Sequence, residues 1–203
     1  MANVLPFSRD GVAAADLSLM KRVAADDKHA QRVLAHRLAA RVRRISQRLL
    51  SNKADADDAS QLALIEILRS AATYRDISTI ERWADRITVR TVLRHAREQR
   101  RRLWQLGTLI DMDSIGTSSE PAPPPQATPR AVEDYLAELP AARREVLIMK
   151  HSLGYTTEEI AELTDNPVGT VKDRLVAARK QLRKLIVRDM RLWGRRQEDT
   201  RHE

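Results

Sequence analysis

The chain has 203 residues, 36 Lys and Arg against 28 Asp and Glu, a formal net charge of +8, and no cysteine. The missing thiols exclude disulfides, Cys-ligated zinc, iron–sulfur clusters and thiol chemistry, and they permit a reducing compartment. No apolar run approaches the ~20 residues that cross a bilayer, and the start "MANVLPFSRDG" lacks the basic end and apolar core of a signal peptide, so a soluble, cytoplasmic protein without membrane insertion is expected.

The placement of the charge is more informative than its size. Residues 94–102 carry +4 and residues 172–191 carry +6, which leaves −2 for everything else. Net positive charge gathered in such stretches is the footprint of a polyanion-binding surface, most often for nucleic acid.

The expected fold is all-α, two small helical domains with a proline-rich spacer between them. A short helix is expected around residues 17–25. Apolar residues then recur at helical spacing as Leu34, Leu38, Ile45 and Leu49, as Ala59, Leu62, Ile65 and Leu68, and as Trp83, Ile87 and Val92 leading into the arginine run. Residues 107–130, "GTLIDMDSIGTSSEPAPPPQATPR", hold five of the eight prolines and cannot build a core, which makes them a linker. The first domain is placed at 16–106 after an extension of fifteen residues, the second at 131–187, and 188–203 form a tail in which Trp193 reads as part of a frayed end.

The second domain opens with Val132, Tyr135, Leu136 and Leu139, stops at Pro140 and resumes with Val146, Leu147 and Met149. Thr156 and Glu159 stand at capping-box spacing, which starts a helix that buries Ile160 and Leu163. Pro167 ends it, and Asn166 as N-cap with Pro167 in the first turn begins another. Two helices across a tight turn make a helix-turn-helix. The second carries an apolar seam of Val168, Val171, Leu175, Ala178, Leu182 and Leu185. Lys172, Arg179 and Arg183 flank it, Lys180 lies on the far side, and Gly169, Asp173, Val176 and Ala177 lie on the exposed front, where a recognition helix meets base edges.

Residues 136–186 closely resemble the promoter-binding C-terminal domain of bacterial sigma factors of the extracytoplasmic-function group, within the sigma-70 family. Leu139-Pro140, Gly154, Glu159-Ile160-Ala161, Gly169-Thr170-Val171-Lys172, Arg174-Leu175 and Ala178-Arg179 carry the resemblance. "DADDASQ", from Asp55, resembles the family's Asp-Ala-Glu-Asp-x-x-Gln segment, and "ERWADRITVRTVLRHAREQRRR", from Glu81, its Trp-Leu-x-x-Ile-Ala-x-Asn helix and basic tail. The resemblance implies a sigma factor that joins core RNA polymerase and directs promoter-specific initiation. It implies minus-35 contacts from Gly169, Thr170, Lys172, Asp173, Arg174, Val176, Ala177, Arg179, Lys180 and Arg183. It also implies minus-10 contacts from Trp83, Arg86, Arg90, Arg94, Arg97, Arg100, Arg101 and Arg102, and polymerase docking through Asp55, Asp57, Asp58 and Gln61. An anti-sigma factor is a further implied partner. Three positions depart from the pattern: Leu62 replaces an acidic residue, Arg90 an asparagine and Asp173 a serine. Trp83 is open between a base pocket and the core.

No catalytic constellation is present. The five histidines are scattered, no His-x-x-His or His-x-x-x-His pair occurs, and there is no glycine-rich phosphate loop, so no enzyme, metal or cofactor is expected. The competing classes are a helix-turn-helix regulator that is not a polymerase subunit and an RNA-binding adaptor, the latter weakened by the lack of aromatic stacking platforms.

Overall fold

The computed structural model describes residues 9–105 and 129–199, and side chains from residue 13 to 105 and from 129 to 193. All regular structure among the described residues is helical, and no helix there is long and apolar enough to cross a membrane. The chain divides into two compact units at Gln99 and Arg100. Nearly all of the linker, residues 106–128, lies outside the described residues.

The N-terminal unit is built from α1 (Arg9–Ala24), α2 (Lys28–Leu49), α3 (Lys53–Arg69), a 3-10 turn (Ala71–Thr73) and, as far as Gln99, α4 (Ile80–Gln105). The helix expected near residues 17–25 therefore begins earlier, at Arg9, and α1 places Met20 and Val23 in the core. Side-chain caps set the starts of α2 and α3. Asp27 accepts from the amides of His29 and Ala30, and Asn52 accepts from those of Ala54 and Asp55, which satisfies donors a helix start leaves unpaired. The core joins Met20 and Val23 to Leu34, Leu38, Val42, Ala63, Ile67, Tyr74, Ile80 and Ala84.

α3 departs from the expected seam. Its buried stripe is Ala56, Ala59, Ala63 and Ile67, whereas Leu62 and Ile65 are 47% and 46% exposed. α2 already contributes the large side chains Leu34, Leu38, Val42, Ile45 and Leu49 to the packing. Small residues on α3 let the two helices approach closely, so the larger apolar residues are turned outward.

The C-terminal unit contains α5 (Val132–Ala137), α6 (Ala141–Leu147), which continues into a π-helical turn (Ile148–Ser152), α7 (Thr157–Thr164) and α8 (Val168–Asp199). Tyr135, Leu139, Val146, Met149, Tyr155, Ile160, Val171, Leu175 and Ala178 form its core. Gly154, at φ +71°, turns the chain out of the π-helical segment, and the Tyr155 amide donates back to the Met149 carbonyl at 3.0 Å. A residue without Cβ suits that backbone.

Two boundaries lie outside the expected ones. Arg130, placed in the linker by composition, sits over the Tyr135 ring at 4.5 Å and pairs with both Glu138 and Asp189 at 2.7 Å. The tail does not begin as a frayed end, because α8 runs unbroken to Asp199 and Asp189 is drawn into that ion pair. The sequence contains no Pro or Gly that would stop the helix before residue 194.

Candidate nucleic-acid and polymerase interfaces

The helix-turn-helix forms as the capping pattern requires. Thr156 Oγ1 accepts from the Glu159 amide at 3.1 Å, and a Glu159 carboxylate oxygen accepts from the Thr156 amide at 2.8 Å. The turn is tighter than the N-cap reading implies. Asp165 adopts the left-handed conformation (φ 56°, ψ 46°), and both its amide and that of Asn166 donate to the Ala161 carbonyl, closing the end of α7. Asn166 donates through Nδ2 to the Thr164 carbonyl at 2.8 Å, and the first α8 bond runs from the Val171 amide to the Pro167 carbonyl. Pro167 thus stands at the helix start itself, one residue later than expected.

This turn aims α8 so that Val171, Leu175 and Ala178 are buried while Gly169, Lys172, Asp173, Val176, Arg179, Lys180 and Arg183 are exposed. Thr170, Arg174 and Ala177 are half-buried at the margin. At 100° per residue, Gly169, Asp173, Val176, Lys180 and Arg183 share one arc of about 80°, with Lys172 and Arg179 at its edge. Two features of that arc have no packing role. A Cβ built on Gly169 meets no atom within 4 Å, and Val176 is 64% exposed. Asp173 makes no hydrogen bond or ion pair among the described residues, and its neighbours one turn away, Gly169 and Ala177, carry no charge. Arg179 leans on α6's extension, its Nη2 lying 3.4 Å from His151 Nε2. Sequence spacing alone could not reveal that contact.

On α4 the buried residues, Ala84, Asp85, Thr88, Val89, Val92 and Ala96 among them, occupy one side. The other side bears Trp83, Arg86, Ile87, Arg90, Arg94, Arg97 and Arg101 within about 60° of a single line, a row about 27 Å long at 1.5 Å per residue. Arg90, Arg94, Arg97, Arg100, Arg101 and Arg102 are all exposed, with Arg100 and Arg102 to either side of the row. Trp83 resolves as an edge residue. It is half-buried, flanks the core, and meets Tyr74 edge-to-face with ring centroids 5.6 Å apart.

The orientation of α4 depends on ion pairs that the sequence pattern does not reveal. Asp85, buried on α4, is held by Arg41 of α2 through two bonds, Nε to Oδ1 at 2.6 Å and Nη2 to Oδ2 at 2.7 Å. Arg37 bridges Asp16 of α1 and Glu81 of α4 at 2.6 and 2.7 Å. Such two-pronged pairs fix direction as well as distance, and they fix which side of α4 faces out.

The acidic segment divides. Asp58 and Gln61 lie on the exposed face of α3 together with Leu62 and Ile65. Asp57 turns instead to Arg43 of α2 at 3.0 Å, and Asp55 is half-buried in the first helical turn. The sequence spacing grouped four polar residues here, and the structure presents two of them beside two apolar side chains.

Residues 34–102 match the family described as Sigma-70 region 2, and residues 130–182 match Sigma-70, region 4. The chain is 30% identical over 144 residues to the ECF RNA polymerase sigma factor EcfG of Rhodopseudomonas palustris, covering 69% of this chain and 76% of that one. It is an extracytoplasmic-function sigma factor. The ECF RNA polymerase sigma-E factor of Haemophilus influenzae is 29% identical over 180 residues, 84% of this chain and 95% of that one. Among solved structures, the sigma factor RpoE of Bartonella quintana, in complex with the anti-sigma factor NepR, shares the fold with a TM-score of 0.58 at 20% identity, over 74% of this chain and 92% of that chain. CnrH, in complex with the cytosolic domain of CnrY, gives a TM-score of 0.52 at 18% identity, over 86% and 99%. As an extracytoplasmic-function sigma factor, the protein binds RNA polymerase and directs transcription initiation at promoters, and the family is not enzymatic. The readings as an independent regulator and as an RNA adaptor are thereby set aside.

Proposed function

We propose how this sigma factor divides its work among three faces. The front of α8 enters the major groove of the minus-35 element. Lys172, Arg179, Lys180 and Arg183 hold phosphates, which supply affinity but no sequence information. Gly169 lets the helix start approach the duplex, with Thr170, Arg174 and Ala177 at the margins of the contact. Asp173 accepts from a cytosine amino group and Val176 meets a thymine methyl group, the two readouts their chemistry suits.

The row on α4 binds the non-template strand of the minus-10 element. Arg90, Arg94, Arg97 and Arg101, with Arg86, Arg100 and Arg102 alongside, form the cationic track, and Trp83 with Ile87 walls one end against an extruded base. Asp58 and Gln61, with Leu62 and Ile65, dock on core polymerase. Asp55 and Asp57 act there as helix-start and α2-pairing groups. The supporting observation is that α4 and α8 each turn a row of cations away from the core they pack on. In keeping with the complexes of RpoE and CnrH, we infer an anti-sigma factor as a further partner and a cytoplasmic location.

Open-complex formation with purified core polymerase tests the division. The variant Arg94→Ala, Arg97→Ala, Arg101→Ala should still be retained on core enzyme while thymines of the minus-10 segment lose permanganate reactivity. Lys172→Ala with Lys180→Ala should lower the slope of log affinity against log salt by about 0.9 per lost phosphate contact. Unchanged reactivity together with an unchanged slope would refute the assignment.

A further inference from the structure

α4 continues to Gln105, past the end of the region 2 match at residue 102, and the added turn carries Trp104. Its side chain is 72% exposed, against 47% for Trp193 and a half-buried Trp83. No other large apolar residue of α4 is exposed. Packing has no use for an indole at this position. At 100° per residue Leu103, half-buried, falls on the side of α4 that carries Val89, Val92 and Ala96. Trp104 falls instead in the arc of Arg86, Arg90, Arg94, Arg97 and Arg101, one turn beyond Arg101, and lengthens that row to about 32 Å. Arg94 and Arg101 have no hydrogen-bond or ion-pair partner among the described residues, and Trp104 has neither a hydrogen bond nor a ring contact there.

A bare ring at the end of an arginine row suits one class of ligand. A protein partner would need apolar neighbours around the indole to close a dry contact, and α4 exposes none. A nucleic-acid strand satisfies both parts, because the cations follow its backbone while a flat ring stacks on a base. That base must be unpaired. Inside a duplex each base face is covered by the next base pair, and only the edges reach the grooves. The distance from Trp83 to Trp104 along α4, about 32 Å, equals about nine nucleotides at the 3.4 Å rise of a stacked strand and fewer in an extended one. The two rings therefore meet different nucleotides.

We propose that Trp104 is a base-stacking platform at the far end of the α4 row, holding an unpaired base several nucleotides away from the one that Trp83 walls. It favours the melted state without reading its sequence, since every base has a face to stack on. This rests on the reading of the α4 row as the strand-binding face.

The test uses holoenzyme assembled from the full-length chain and core polymerase, with promoter DNA pre-melted by mismatches across the minus-10 segment and the fully paired duplex beside it. Trp104→Ala should weaken binding to the mismatched DNA roughly fivefold to 150-fold, and Trp104→Tyr, which keeps a ring, should stay within about threefold of the parent. Binding of the paired duplex in the closed complex and retention on core enzyme should not change. No loss on the mismatched DNA, an equal loss on both DNAs, or a loss of core retention overturns the proposal. Photocrosslinking from 5-iodouracil in the non-template strand separates the platform from the reading beneath it. Attachment at residue 104 in the mismatched complex supports the platform. Attachment to α4 at residues 83–101 alone overturns it and leaves the row as the strand-binding face, whereas no attachment anywhere on α4 removes both.

Discussion

Gly169 gives the sharpest separation of a folding role from a DNA role. It is the second residue of α8, it has no positive φ, and an added Cβ meets nothing within 4 Å. The fold therefore has no use for glycine there, and in a helix glycine costs roughly 0.5–1 kcal/mol relative to alanine through backbone entropy. Gly169→Ala should stabilise the C-terminal unit by up to about that amount, a rise of about 2–8 °C in melting temperature for a unit of this size. The same methyl group stands on the arc shared with Asp173 and Val176, where the helix start approaches the duplex. Binding to a minus-35 duplex should fall about tenfold, equivalent to about 1.4 kcal/mol. Thermal unfolding followed by circular dichroism and fluorescence anisotropy on a labelled duplex measure the two effects on one preparation. A variant that is more stable and binds as tightly as the parent would refute the claim that closeness of approach is why glycine stands there.

Gly154→Ala should act in the opposite sense. That residue sits at φ +71° with open space around it, so the change is purely a backbone strain and should lower stability by about 1 kcal/mol. Asp173→Ala should leave overall affinity near the parent value while reducing discrimination at one base pair by about 1–3 kcal/mol, measured on duplexes substituted singly across the minus-35 element. Tighter binding to every duplex with unchanged preference would overturn its role as a cytosine reader. Leu62→Ala and Ile65→Ala, on exposed positions, should leave unfolding within about 0.5 kcal/mol yet weaken association with core polymerase about fivefold each, about 1 kcal/mol of apolar burial. Equal retention in a core pull-down would remove α3's apolar residues from the docking face. Asp85→Ala should destabilise the N-terminal unit by about 1–3 kcal/mol, because it removes both bonds that Arg41 makes to Asp85 and with them one of the contacts that orient α4. Chemical denaturation reads that loss, and a change below 0.5 kcal/mol would contradict it.

Much of this architecture was written locally. The capping box at Thr156 and Glu159, the seam of Val171, Leu175 and Ala178, and the two cationic stretches all depend on spacings within one helix, where neighbours in sequence are neighbours in space. The failures share a different character. Leu62 and Ile65 have helical apolar spacing, and their exposure follows from what α2 offers opposite them. Asn166 is a good cap by residue type, but after the left-handed turn at Asp165 its side chain turns back and donates to the Thr164 carbonyl. Asp57 looked like one of three interchangeable acids until Arg43 stood beside it.

Residue type and spacing by themselves determined that the chain is helical, that two units flank a spacer, and that residues 94–102 and 172–191 are strongly cationic, because periodicity and charge are properties of a single helix. Which way each helix faces was decided by tertiary structure. Arg37 and Arg41 reach 44 residues along the chain to grip Glu81 and Asp85, and Arg130 reaches Asp189 past the matched domain. A one-dimensional pattern holds no distance between such partners, so only the packed chain could show which arginines hold the fold together and which were left facing outward.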